Sequence, residues 1–198
     1  MRQIFLDTET TGLRVEDGNR LLEVAAVEMI DRKLSKAECH FHRFVNPERD
    51  SEEGALNVHG LTTEFLADKP KFAAIVDEFL DFVKGSELII HNAPFDVGYL
   101  NMELGRLGRG KIEDYVESIT DTLKMAKDLW PGKRNSLDAL CDRSDVVRSG
   151  RTLHGALIDC ELLAEVYMAM TRGQDSLLLD FAPTAEENAS NLERRNSS

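Results

Sequence analysis

The sequence contains no apolar stretch able to cross a bilayer: its longest runs, such as Leu88 to Ile90, fall far short of the ~20 residues a spanning helix needs. The opening Met-Arg-Gln-Ile-Phe-Leu also lacks the long apolar region of a signal peptide, so a soluble, cytoplasmic protein with no membrane partner is expected. Cysteine is scarce. Cys39, Cys141 and Cys160 are an odd set, widely separated, with no C-x-x-C pair and no zinc-type spacing with the five histidines. They read as small core residues in a reducing compartment. Positive charge is short as well: 24 basic residues against 36 acidic ones leave a net charge of −12, which argues against a protein that grips nucleic acid across a broad basic face. That balance still admits an enzyme that holds metal ions with carboxylates, touches only a strand end and gains from being tethered.

What is present suits one folded domain. A chain of 198 residues, 42% of them hydrophobic, is long enough to build a real core. Gln3 to Leu6 is a short apolar run that predicts a buried strand stopping at the polar Asp-Thr-Glu-Thr-Thr-Gly. Leu21 to Ile30 and Cys39 to Val45 predict two further strands, mostly antiparallel, with the polar linker Asp31 to Lys36 as a hairpin connection. Phe72, Ile75, Val76, Phe79, Leu80 and Val83 then follow the helical period, and Gly85 ends that helix. Glu87 to His91 predicts a short buried strand. Asn92 and Pro94 open a helix to about Leu107, with Asn92 as N-cap. Asp121 to Leu129 and Ser136 to Cys141 look helical, a last helix runs from about Leu157 to Met170, and Ala182 to Ser198 has little to bury and is expected to be disordered. Strands first, then strand and helix in alternation, indicate an α/β sheet with helices on both faces.

Asp7 and Glu9 stand two apart at the end of a strand, so their side chains share a face. Two converging carboxylates repel unless a cation sits between them; a solvated turn is the ordinary alternative. Asp96 lies in the first turn of the helix opened by Asn92, where it either answers the helix dipole or serves a site. Asp159 precedes Leu162 and Leu163 by three and four residues, which turns it toward the core, and a carboxylate there needs a partner. His154, five residues before Asp159, fits a loop leading into the helix, with Gly155 letting it swing over the same site. His40 and His42 read as ordinary satisfied histidines.

In order, these residues resemble the motifs of the DEDD exonuclease superfamily, in its histidine-containing branch: Phe5-Leu-Asp-Thr-Glu-Thr-Thr-Gly-Leu13, His91-Asn-Ala-Pro-Phe-Asp96 and His154-Gly-Ala-Leu-Ile-Asp159. The sequence is closer still to the proofreading epsilon subunits of bacterial DNA polymerase III, through Asn57-Val-His-Gly-Leu61, Arg134-Asn-Ser-Leu-Asp-Ala-Leu-Cys141 and Arg151-Thr-Leu-His-Gly-Ala156. The likeness spans about residues 2 to 174. It implies a ribonuclease H-like exonuclease fold, a central five-stranded mixed sheet flanked by helices, over 1–173.

The same resemblance implies a metal-dependent 3′-5′ exonuclease that proofreads DNA replication, cutting the terminal phosphodiester of single-stranded or mispaired 3′ ends and releasing nucleoside 5′-monophosphates. Two divalent ions, Mg²⁺ or Mn²⁺, suit hard carboxylate ligands. By resemblance Asp7 bridges both, Glu9 and Asp159 bind the ion that activates water, Asp96 serves the second, and His154 is the general base. Thr10, Gly12, Leu13, Val58 and His59 are expected around the terminal nucleotide, with His91 and Phe95 in support. No base edge is read, so cutting independent of sequence is expected.

Gln174-Asp-Ser-Leu-Leu-Leu179 resembles the glutamine-led motif by which bacterial replication proteins dock on the sliding clamp, with Gln174, Leu177, Leu178 and Leu179 in its pocket and 174–181 as the segment. An apolar strand or extra turn on the domain is the alternative. Epsilon chains usually continue with a segment that binds the polymerase catalytic subunit; this sequence stops at Ser198, so that segment is expected to be missing or curtailed. Two other functions compete: trimming of RNA 3′ ends by the same chemistry, and a non-catalytic replication adaptor. The clamp-like segment favours DNA, and the full catalytic set disfavours the adaptor.

Overall fold

The computed structural model of the chain describes residues 1–35, 40–148 and 153–180, for 173–180 the backbone alone. Cys39, the start of the third expected strand, and the tail at 182–198 lie outside the described residues. Six strands form one sheet: β1 (Arg2–Thr10), β2 (Leu21–Ile30), β3 (Lys33–Leu34), β4 (His40–Phe44), β5 (Glu87–Ile90) and β6 (Ser118–Asp121). β1 pairs antiparallel with β2 and parallel with β5, and β5 pairs parallel with β6. Both β3 and β4 lie on the outer side of β2, at different positions along it, so the sheet has five strand places, as expected. Asp31 and Arg32, both at positive φ, make the tight turn between Ile30 and Lys33.

Helices cover both faces. α1 (Glu53–His59) and α2 (Thr63–Leu66) are short; α3 (Phe72–Val83) and α4 (Ala93–Arg106) pack on one face, where Ile4, Leu6, Leu88 and Ile90 meet all six apolar residues of the α3 stripe. On the other face α7 (Ala156–Asp180) covers Phe5, Ala25 and Ile89 with Ala156, Cys160 and Leu163, and α5 (Thr122–Leu129) and α6 (Leu137–Arg143) pack beside it. Cys141 and Cys160 are buried, small core residues as read from the sequence.

Four expectations shift. β1 runs on to Thr10 instead of stopping after Leu6, because its paired register with β2 continues past the acidic residues and Thr8 and Thr10 are buried. Residues 118–121 are a strand whose last residue, Asp121, then caps α5 by accepting from the Leu123 and Lys124 amides; four mixed residues carry too little period to announce an edge strand. Asn92 does precede α4, yet its side chain makes no cap: it sits at φ 68, a left-handed conformation asparagine tolerates, and its amide donates to Asp121. α7 continues through Gly173 to Asp180, past its expected end near Met170; a glycine there costs only ~1 kcal/mol and does not force a stop.

Candidate active site

Alternation along β1 divides its polar end between two faces. Phe5 packs under α7, so Asp7 and Glu9, in step with it, face that helix. Thr8 points the other way and donates its hydroxyl to Asp96 Oδ1 across 2.7 Å, joining β1 to the first turn of α4. Asp159, in the first turn of α7, is buried against the Asp7 side, and His154 Nδ1 lies 3.2 Å from its Oδ2. His154 is in the loop before α7, as expected, and its amide donates to the Val58 carbonyl of α1. Three chain segments far apart in sequence therefore meet at the C-terminal end of β1, the middle strand of the sheet.

Their charges crowd together. Burial raises the Asp7 carboxyl well above the usual carboxylate range, and Asp96, Glu9 and Asp159 push it in the same direction. Burial pushes Asp96 up to about 7, against the pull of the Thr8 hydrogen bond. Carboxylates so placed are satisfied by a cation, and the donor set is that of a hard divalent ion. Glu9, His154 and Asp159 offer one ligand atom each within 4.8 Å of one another.

Beside this cluster opens a cavity of about 270 Å³, lined by Glu9, Thr10, Gly12, Leu13, Val58, His59 and Phe95 together with Glu52, Gly54 and Ala55. Six of the seven residues expected around a terminal nucleotide thus share one hollow; the seventh does not. His91 turns from it, its Nδ1 2.9 Å from the Thr122 hydroxyl, because a residue at the end of β5 neighbours the start of α5 across the parallel pairing with β6. Leu13 is 79% exposed at the rim. Gly12 has no room for a side chain: a Cβ would lie 2.4 Å from both Asn19 Nδ2 and Glu52 Cδ, and Asn19 Nδ2 itself donates to Glu52 Oε1 at 2.6 Å. Its carbonyl accepts from Thr10 Oγ1 and Tyr99 Oη, both at 2.7 Å. His59 is buried; the Leu61 amide donates to its Nδ1, which leaves the ring proton on Nε2, and burial lowers its pKa, partly offset by Glu23. Thr8, Asn19, Glu52 and Tyr99 were not singled out from the sequence. Only their contacts mark them, and no local spacing would have found them.

Residues 4–167 match the Exonuclease family. The chain is 50% identical to the DNA polymerase III subunit epsilon of Pasteurella multocida over 186 residues, covering 92% of this chain and 73% of that protein. The chain belongs to the DNA polymerase III epsilon family of exonucleases. Its likeness to the Escherichia coli epsilon subunit is similar, 48% over 182 residues, covering 89% and 74% of the two chains. Among solved structures, exonuclease X in complex with 5′-overhanging duplex DNA is 27% identical at a TM-score of 0.65, covering 93% of this chain and 96% of its own. The nuclease domain of 3′hExo, a DEDDh family member bound to rAMP, shares the fold at a TM-score of 0.71 and 18% identity, covering 88% and 92%. This epsilon-family chain is thus a 3′-5′ exonuclease on a ribonuclease H-like fold, and its carboxylate cluster accords with the metal dependence of its family. Among the described residues no helix is long and apolar enough to cross a membrane.

Proposed function

We propose that this exonuclease proofreads DNA synthesis at the carboxylate edge of β1, with Asp7, Glu9, Asp96 and Asp159 holding two Mg²⁺ or Mn²⁺ ions. The convergence of those four carboxylates with His154, beside the Thr10–His59 cavity that Glu9 helps to line, carries the reading. When bound, the ions neutralise the scissile phosphate, lower the pKa of the attacking water and ease departure of the 3′ oxygen. The cavity takes the terminal nucleotide, and Leu13 at its rim wedges against the base, so an unpaired end enters more readily than a paired one. His154 accepts the proton of the attacking water. The water oxygen bonds to phosphorus as the bond to the 3′ oxygen breaks, and a nucleoside 5′-monophosphate leaves.

The partners follow the relatives' name. Work alongside DNA polymerase III in the bacterial cytoplasm is part of this reading, while direct binding of the catalytic subunit would need the segment expected to be curtailed here. Docking of Gln174, Leu177, Leu178 and Leu179 on a sliding clamp is proposed from the sequence alone; the backbone of that segment continues α7.

Release of mononucleotides from 3′-labelled single-stranded DNA and matched RNA, with Mn²⁺ or with EDTA, tests the chemistry. Metal-dependent DNA degradation lost in Asp7→Ala is the expected result. Strong preference for RNA would replace proofreading with RNA trimming, and cutting in EDTA would remove the metals from the mechanism.

A further inference from the structure

A fifth carboxylate belongs to this site. Glu23 on β2 sits directly opposite Glu9 on β1, at the last regular pair before the register shifts at Thr10. Residues opposite one another on antiparallel strands share a face, with Cβ atoms about 4.5–5.5 Å apart. Here that face is the α7 face, since Ala25, two residues on from Glu23, packs with Phe5, Ala156 and Cys160. Glu23 is buried, and like charges directly opposite are unfavourable, so its presence needs a reason.

His42 is its partner. On β4, His42 pairs with Ala25 and brings its Nε2 to 2.7 Å from Glu23 Oε1, while its ring stands edge-on to Phe44 at 4.9 Å. The Glu23 carboxylate is thereby held by a side chain of β4, the strand on the far side of β2 from β1. Its charge is still felt inward: it adds to the burial that raises Asp7, and it opposes the burial that lowers His59.

We infer that Glu23, held by His42, is a positioning residue for the metal ligands: its fixed negative charge behind Glu9 turns the Glu9 carboxylate toward Asp159 and strengthens cation binding. The inference rests on the metal reading of the site given above. Outer residues that orient metal ligands weaken binding about 10- to 100-fold when lost; here Glu23 acts on Glu9 through its charge, its own hydrogen bond being made to His42. A plain structural role, pinning β4 to β2, is the rival explanation. It predicts lost stability with unchanged metal affinity.

Mn²⁺ uptake by the full chain without DNA, followed by the free-ion EPR signal, separates the two. Glu23→Gln keeps the size and the hydrogen bond to His42, so the fold survives. It is expected to bind Mn²⁺ about tenfold more weakly, with DNA hydrolysis recovering as Mn²⁺ is raised to saturation. Glu23→Asp, which keeps the charge, should regain most of the affinity. A Glu23→Gln variant with wild-type Mn²⁺ affinity overturns this inference alone. Wild-type protein that takes up no Mn²⁺ overturns the metal reading, and this inference with it.

Discussion

Thr8 donates its hydroxyl to Asp96 across 2.7 Å, and that bond helps tie the end of β1 to the first turn of α4. The two acidic residues that flank Thr8 point to the opposite face, so the strand offers carboxylates on one side and holds the Asp96 carboxylate on the other. Replacing Thr8 with valine keeps the shape and removes the donor. The loss of a buried hydrogen bond to a carboxylate should cost ~2 kcal/mol of stability. Asp96, freed from the bond that lowers its pKa, should rise further and hold a cation less well. Chemical denaturation and Mn²⁺ titration of Thr8→Val read both effects; unchanged Mn²⁺ affinity would deny Thr8 its orienting role.

The crowded carboxylates give the metal-free protein a definite response to pH. Asp96 moves from its ordinary 3.8 up to about 7, and Asp7 moves in the same direction. A folded-state pKa above the unfolded one favours the protonated native form. The stability it contributes is full below about pH 4 and is lost as pH rises through about 7. From this pair alone, metal-free protein should melt lower at pH 8 than at pH 5, by about 2–4 °C for each kcal/mol lost. Mn²⁺, which binds the ionised carboxylates, should raise the melting temperature more at pH 8 than at pH 5. Calorimetry with EDTA or Mn²⁺ at the two pH values checks the sign.

Two neighbours on the cavity rim should respond differently to mutation. Leu13, 79% exposed, buries almost nothing in the free protein. Leu13→Ala should leave stability within ~0.5 kcal/mol yet raise the KM for single-stranded DNA. Gly12→Ala forces a Cβ against the Asn19–Glu52 pair, so the loop must shift, at a cost of ~1–3 kcal/mol together with a larger loss of activity. Steady-state kinetics beside thermal melts tell a binding defect from a folding one, and a Leu13→Ala variant with normal KM would remove the wedge.

His154 is tied to α1 by its backbone and to Asp159 by its ring. His154→Gln should lower kcat about 10²- to 10⁴-fold, the usual range for loss of a general base, with a much smaller change in DNA affinity. A kcat within a few-fold of wild type in single-turnover assays would assign the proton to another group.

Much of this architecture was legible in local patterns. The α3 stripe fell on the helical period and all six of its apolar residues are buried. Asp7 and Glu9 shared a face by strand alternation, Asp159 turned inward by its spacing to Leu162 and Leu163, and His154 fell in a loop. β6 was missed because four residues at a sheet edge hold no repeating pattern, and the length of α7 because a glycine weakens a helix without ending it. His91, expected from its motif in a supporting place beside the cavity, has its ring on Thr122 of another element.

Alone, the sequence determined which groups face which way along each strand and helix, since those periods are properties of the backbone. It also set the chemistry of the acidic groups and their order. Only the tertiary structure decided which of them meet. Glu23 joins Glu9 because β2 folds back on β1 in one register, and His42 reaches Glu23 because β4 pairs alongside. Such contacts depend on the packing of distant segments, and no short window of residues carries that information.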